Sequence, residues 1–173
     1  LWSLGRVNLD DVSSDGNYAV YGVTYYDIKE DKGTRDLYLC DVNSNESWKI
    51  TSMQGSEMNA KFTPDSKKIL FLNDGYLFSM NINGTDQTKI SEGDIEGYIL
   101  SPDAKSILLI KSVLYKSDLD LLKQDLPKAD AHLMDDLMYR HWNEWEDDKY
   151  SNVFIADIID GKISSEMTNI TPQ

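Results

Sequence analysis

Residues 62–93, FTPDSKKILFLNDGYLFSMNINGTDQTKISEG, decide the fold, because their parts recur on both sides. A Thr-Pro-Asp turn leads into an apolar run at residues 69–72, and an Asn-Asp-Gly turn follows. A second strand is predicted at residues 76–82, and a short polar strand at residues 87–90 closes the unit. The apolar run shows no alternation, which predicts a strand that is covered on both faces.

The same order of parts appears upstream and downstream of this unit. The turn with its apolar run, the following strand and the closing strand recur at residues 12–23, 35–42 and 48–51, and again at residues 100–110, 150–158 and 167–171. Such a repeat indicates one supersecondary unit that buries its faces against its neighbours. We therefore predict an all-β fold, a partial β-propeller of about three four-stranded blades, at residues 7–52, 53–93 and 94–173.

Three blades do not close a propeller, which needs roughly four to eight. They would leave two open flanks with exposed strand edges. We therefore expect the chain to be part of a longer protein, or to close its ring by association with another copy as a homo-oligomer.

The third unit is interrupted by an insertion at residues 116–149, which contains ten acidic and five basic side chains. A short helix is predicted at residues 118–125, ending before Pro127. A stronger helix is predicted over residues 133–145, where four large apolar side chains have the spacing of one helical face: Met134, Met138, Trp142 and Trp145. The insertion is the first candidate for function.

The composition excludes several classes of function. The net charge is −13 and the pI is about 4.4, which argues against nucleic acid or an anionic membrane surface as a partner. No apolar run approaches the ~20 residues that a membrane-spanning helix needs. The chain has no G-x-S-x-G motif and only two histidines, so we expect no catalytic residues in it. No cofactor is implied, and no metal site is expected, because residues 41–46 begin like a calcium loop but place Glu46 where glycine belongs.

Residues 135–147 contain the candidate binding site. Glu144 and Glu146 lie near the end of the predicted helix, where carboxylates could bind a substrate ammonium group through charge-assisted hydrogen bonds. Four neighbouring side chains complete the candidate substrate-binding set: Asp136, Arg140, His141 and Trp142. The alternative is that the large apolar side chains pack the insertion onto the propeller while the acids face water. Arg140 and Asp136 would then form an ordinary i, i+4 ion pair.

Several motifs carry a family resemblance. The Thr-Pro-Asp and Ser-Pro-Asp turns are similar to those in propellers of the prolyl oligopeptidase family of serine peptidases, and in TolB-type propellers. More specific are DLPK at residues 125–128, DDLMYRHW at residues 135–142, and Tyr150-Ser151. Together these resemble the N-terminal propeller of bacterial dipeptidyl-peptidase and acylaminoacyl-peptidase-like members of the family. The resemblance covers essentially the whole chain.

The resemblance implies a propeller that sits over an α/β-hydrolase domain of the same parent chain, which holds the Ser-Asp-His triad. In that family the propeller filters substrates by size and helps to hold the free N-terminus of the peptide substrate. Some members use two glutamates on a propeller helix, and Glu144 and Glu146 come nearest to that arrangement. A periplasmic or secreted location is implied. The alternative function is a non-enzymatic, TolB-like interaction propeller whose acidic, Trp-rich insertion docks a protein partner.

Overall fold

The computed structural model describes residues 3–115, the backbone of residues 140–141 and 144–145, and residues 149–172. Within this part of the chain every regular element is a strand. The strands are β1 Arg6–Val12, β2 Tyr18–Asp27, β3 Lys32–Asp41, β4 Glu46–Lys49, β5 Glu57–Phe62, β6 Lys68–Asn73, β7 Tyr76–Asn81, β8 Thr88–Lys89, β9 Gly97–Leu100, β10 Ser106–Leu114, β11 Arg140–His141, β12 Glu144–Trp145, β13 Lys149–Ile159 and β14 Lys162–Asn169.

The strands form three antiparallel four-stranded sheets. Their orders are β1-β2-β3-β4, β5-β6-β7-β8 and β9-β10-β13-β14. In each sheet neighbouring strands follow one another along the chain, except where the insertion separates β10 from β13. The predicted all-β partial propeller of three four-stranded units is confirmed.

The middle sheet is covered on both faces. Ile69 and Phe71 of β6 lie in a buried cluster shared with the first sheet, whereas Leu70 and Leu72 lie in a second cluster shared with the third sheet. Successive side chains of a strand point to opposite faces, so an apolar side chain is required at each of residues 69–72. This explains the unbroken apolar run in the sequence.

The helix predicted over residues 133–145 is wrong at its C-terminal end. There β11 and β12 pair as antiparallel strands, with Arg140 opposite Trp145 and His141 opposite Glu144. Trp and His are weak helix formers, and aromatic side chains suit a strand. The intrinsic preferences of these residues therefore favour a strand, although the spacing of the apolar side chains favours a helix. The remainder of that prediction and the helix at residues 118–125 fall outside the described residues.

A repeated turn opens the second strand of each sheet. Ser13, Thr63 and Ser101 each donate a hydroxyl hydrogen bond to the aspartate two residues later, at 2.6, 2.6 and 2.7 Å. These bonds lower the pKa of the three turn aspartates: Asp15, Asp65 and Asp103. The triplicate acids therefore stabilise turns, as their repetition in the sequence predicts.

A buried polar cluster joins the first two sheets. The Arg35 guanidinium crosses the face of Gly22, where any Cβ would overlap it, and reaches Asp10 Oδ1 at 2.7 Å. The same guanidinium donates to the Glu57 carbonyl oxygen at 2.6 Å. Asp10 Oδ2 accepts the Ala60 amide hydrogen at 3.1 Å. Asp10 thus connects its own sheet to the first strand of the next.

Glu57 lies beside this cluster and is fully buried. Its carboxylate accepts the Thr51 hydroxyl at 3.1 Å and the Met53 amide hydrogen at 3.0 Å. Burial raises the pKa of Glu57 above its ordinary value of 4.5, although the two hydrogen bonds act in the opposite direction. The Glu57 carboxyl group therefore binds its proton more tightly in the folded chain than in the unfolded chain.

We expect Glu57→Gln to change the pH dependence of stability. Because the folded state binds the Glu57 carboxyl proton more tightly, this proton stabilises the wild-type fold. The contribution is complete below pH 4.5 and is lost as the pH rises through the folded-state pKa of Glu57. The difference in the free energy of unfolding between variant and wild type should therefore shift in favour of the variant as the pH rises. Urea denaturation between pH 4 and pH 8 measures this, with the exposed Glu46→Gln as control. Parallel pH profiles for wild type and Glu57→Gln would contradict the assignment.

Candidate functional site

One rim of the three sheets carries the longest connections. We call it the upper rim: the edge where the second strand of each sheet turns into the third, at residues 28–31, 74–75 and 115–148. The connections between sheets, at residues 50–56 and 90–96, reach the same edge, because the fourth strand runs parallel to the second. The insertion therefore leaves the fold at the upper rim.

The first and third sheets rise above the middle sheet at this rim. Counted from the repeated turn, β2 and β3 form ten residue pairs, β6 and β7 form six, and β10 and β13 form nine. At about 3.4 Å per residue the outer ladders project roughly 10–14 Å further than the middle one. In the third sheet we call the projecting part the arm, residues 112–115 and 149–151, and the insertion continues from it.

Three of the candidate residues, Arg140, His141 and Glu144, lie on the β11–β12 ribbon, which a short segment joins to the arm. Only residues 146–148 separate Trp145 from Lys149, and an extended chain spans at most ~3.5 Å per residue, so their Cα atoms lie within about 14 Å of each other. The β11–β12 ribbon is therefore held near the upper rim. In this ribbon His141 lies directly opposite Glu144 as a strand partner. The predicted helix did not include this cross-strand pair. Asp136, Trp142 and Glu146 lie outside the described residues.

The base of the arm is held on one face by Glu96. Its carboxylate accepts the Ser112 hydroxyl at 2.5 Å through one oxygen and the Ser151 hydroxyl at 2.7 Å through the other. Ser112 and Ser151 are cross-strand partners on β10 and β13. Glu96 lies in the connection that enters the third sheet, and its backbone amide donates to the Ile110 carbonyl at 2.9 Å.

The opposite face of the arm is held by Asn152, which is 1% exposed. Its side-chain amide donates to the Tyr115 hydroxyl oxygen at 2.7 Å and to the Thr171 carbonyl at 2.8 Å. The rings of Tyr115 and Tyr150 meet edge to face, with centroids 5.7 Å apart. Two independent groups of contacts thus fix the two strands where they leave the sheet.

These contacts are not visible in the sequence. Glu96 is 16 residues from Ser112 and 55 residues from Ser151, so no local spacing connects them. The only signal is that a carboxylate immediately precedes the first strand of the third unit. Only the register of β10 and β13, which places Ser112 opposite Ser151, shows that this carboxylate can bond to both strands.

The first sheet contributes aromatic side chains to the same rim. Tyr25 and Tyr26 are 47% and 39% exposed near the tip of the β2–β3 hairpin, and the Arg6 guanidinium lies 4.6 Å from the centre of the Tyr26 ring. An open groove beside this tip is lined by Tyr26, Asp27, Ile28, Asp31, Lys32 and Gly33. The upper rim therefore offers aromatic and charged groups on the hairpin and acidic groups near the arm.

The described part of the chain contains no group of three or more His, Cys, Asp or Glu side chains placed to hold a metal ion. Among the same residues no helix is long and apolar enough to cross a membrane.

Sheets of four antiparallel strands, each packed face to face on the next, define the class of the β-propellers. The sequence profile of the dipeptidyl peptidase IV (DPP IV) N-terminal region matches residues 13–102, which is just over half of the chain. The chain belongs to this family.

Three known proteins are similar to the chain in sequence or in fold. Dipeptidyl-peptidase 5 of Porphyromonas gingivalis is 35% identical over 169 residues, which cover 94% of this chain and 25% of that protein. The acylaminoacyl peptidase of Pyrococcus horikoshii superposes with a TM-score of 0.69 at 14% identity, over 97% of this chain and 25% of its own. TolB of Acinetobacter baumannii superposes with a TM-score of 0.54 at 18% identity, over 93% and 31% of the two chains.

The two structural likenesses show the fold alone, given their low identity. The chain spans about a quarter of the length of the curated dipeptidyl peptidase that it matches. The resemblance to the N-terminal propeller of the prolyl oligopeptidase family is confirmed.

Proposed function

We propose that this chain is the non-catalytic propeller region of a serine exopeptidase of the dipeptidyl- or acylaminoacyl-peptidase type, and that it gates and helps to bind the peptide substrate. The supporting observation is the match of residues 13–102 to the DPP IV N-terminal region, together with 35% identity to a dipeptidyl peptidase along nearly the whole chain. The partners are the peptide substrate and an α/β-hydrolase domain of the same parent chain. The expected location is periplasmic or secreted.

In this proposal the acids near the β11–β12 ribbon hold the free N-terminus of the substrate. Glu144 belongs to the ribbon, and Glu146 is the next residue after the ribbon in the sequence. A carboxylate that faces a substrate ammonium forms charge-assisted hydrogen bonds, which are about twice as strong as neutral ones. Arg140, His141, Trp142 and Asp136 complete the proposed substrate-binding set. Residues 116–149 carry a net charge of −5, which also attracts a cationic group.

Gating follows in this proposal from the heights of the ladders. Two outer ladders project past the middle one, and the third carries the insertion. Projections of this size on the upper rim limit the size of a polypeptide that can approach the candidate binding site. A short peptide with a free amino group is the ligand that this combination of size limit and negative charge favours.

We expect the double change Glu144→Gln/Glu146→Gln, made in the full-length parent, to raise KM for a dipeptide chromogenic substrate with a free amino group. Loss of hydrogen bonds between charged groups predicts an increase of about 10- to 100-fold. The N-acetylated form of the same substrate carries no ammonium group and should be cleaved as by wild type. Asp147→Asn/Asp148→Asn removes the same charge from the adjacent residues and is the matched control.

Equal cleavage of both substrates by wild type and by the glutamine variant would contradict the anchoring role. The insertion would then serve packing and gating only, and the anchor would lie in another blade. The TolB-like alternative is tested by the parent gene: a G-x-S-x-G motif encoded several blades downstream supports the peptidase, and a stop codon after a few blades supports an interaction propeller.

A further inference from the structure

The two strands that carry the insertion are joined by one side chain that comes from neither of them. Glu96 uses one carboxylate oxygen for Ser112 on β10 and the other for Ser151 on β13. We propose that Glu96 is a positioning residue: it fixes the direction in which the arm leaves the upper rim, and with it the segment that holds the substrate's free N-terminus. This inference rests on the function proposed above, because the arm carries the proposed anchor.

The geometry of the contact favours this role over that of an exposed carboxylate that only faces water. Ser112 and Ser151 face each other across the ladder, so a carboxylate that accepts from both fixes the spacing and twist of that pair. Hydrogen bonds to an ionised acceptor are shorter and stronger than neutral ones, and the observed 2.5 and 2.7 Å match that class. The backbone of Glu96 is itself bonded to Ile110, so the carboxylate is presented from a fixed point of the sheet.

The other face of the arm has its own anchor. Asn152 pairs with Lys111, and neighbouring pairs of a ladder project to opposite faces, so its bonds to Tyr115 and Thr171 lie on the side away from Glu96. Bending the arm toward either face therefore stretches the bonds on the other. Without Glu96 only one of the two restraints remains.

Because the segment between β12 and β13 is short, the direction of the arm affects the position of the β11–β12 ribbon. Ser151 is two residues from Lys149, and three residues separate Lys149 from Trp145. A change of direction at the base of the arm thus displaces the β11–β12 ribbon, and a misplacement of about 1 Å can cost a large factor in binding or rate.

Glu96 is solvent-exposed, which makes the inference testable without unfolding the protein. The contacts of its carboxylate are hydrogen bonds to two serine hydroxyls, and both of these bonds lie in an exposed position. We therefore expect the melting temperature of Glu96→Ala to stay close to that of wild type.

The experiment uses the full-length parent with four variants: Glu96→Ala, Glu96→Gln, Ser112→Ala/Ser151→Ala and, as control, the exposed Glu92→Ala from the same connection. For the free-amine dipeptide substrate we expect Glu96→Ala to raise KM about three- to tenfold with kcat unchanged. The N-acetylated substrate should show no change. Ser112→Ala/Ser151→Ala should reproduce the effect, and Glu96→Gln should recover part of the loss, because its amide can still bond both hydroxyls.

Hydrogen exchange provides a readout that does not depend on activity. Amides of residues 149–153 should exchange faster in Glu96→Ala and in the serine double variant than in wild type or Glu92→Ala. Unchanged exchange, or faster exchange with an unchanged KM for the free-amine substrate, would overturn the positioning role. An equal rise in KM for both substrates would overturn it as well.

The two proposals fail in distinguishable ways. If Glu144→Gln/Glu146→Gln leaves KM unchanged while Glu96→Ala raises it for the free amine alone, the assignment of the anchor is wrong and the positioning role stands. If the glutamine variant raises KM and Glu96→Ala does not, the anchor stands and Glu96 has no part in it.

Discussion

Replacing Asp10 by alanine should destabilise the folded chain by about 3–5 kcal/mol, because the change leaves the Arg35 guanidinium buried without its counter-charge. The two side chains are each 10% exposed and lie 2.7 Å apart. The substitution also removes the acceptor of the Ala60 amide hydrogen, at the point where the first two sheets meet. Urea denaturation followed by circular dichroism measures the loss.

The Lys49–Asp36 pair provides a matched control. Its atoms lie 2.8 Å apart, but the lysine side chain is 42% exposed. An exposed ion pair contributes less than about 1 kcal/mol, so Asp36→Ala should have a small effect on the same measurement. Similar losses for Asp10→Ala and Asp36→Ala would show that burial does not govern the Arg35 contact.

The second large effect is expected from Phe71→Ala. Phe71 is fully buried at the centre of β6, and its ring stacks on Phe78 with centroids 5.5 Å apart. Removing a buried phenylalanine ring costs about 3–5 kcal/mol, through lost burial and the cavity that remains. The midpoint of urea denaturation should fall accordingly.

Met58→Ala is the comparison for this change, because Met58 lies on the neighbouring strand β5 and is 52% exposed. We expect its effect to stay within about 0.5 kcal/mol, as for most exposed positions. A small loss for Phe71→Ala would mean that the neighbouring sheets close around the gap. The two-sided packing of β6 would then be looser than the structure indicates.

The sheets were predictable because each carries its own local signals. The Thr-Pro-Asp and Ser-Pro-Asp turns identify where two strands begin, and the unbroken run at residues 69–72 identifies a strand buried on both faces. Both signals act over a few residues, and the repeat supplies three copies of the pattern. Strand order then follows from chain order, since consecutive antiparallel strands pair through short turns.

The ribbon at β11 and β12 was missed for a physical reason. Spacing of large apolar side chains at three and four residues is typical of an amphipathic helix, but Met and Trp at such positions do not by themselves fix a period. Pairing of His141 with Glu144 joins two strands of two residues each, for which the sequence gives no strong signal. The contact of Glu96 with both serines was equally hidden, because it joins distant residues.

The unequal heights of the ladders have a consequence for how this scaffold can diversify. The two outer hairpins project past the middle one before they turn, so residues added or removed in pairs within these projections alter the rim without repacking the apolar clusters. A one-residue change, in contrast, would invert which side chains face inward along the rest of the strand. New surface loops can therefore be added to these hairpins in steps of two residues while the packed interior stays as it is.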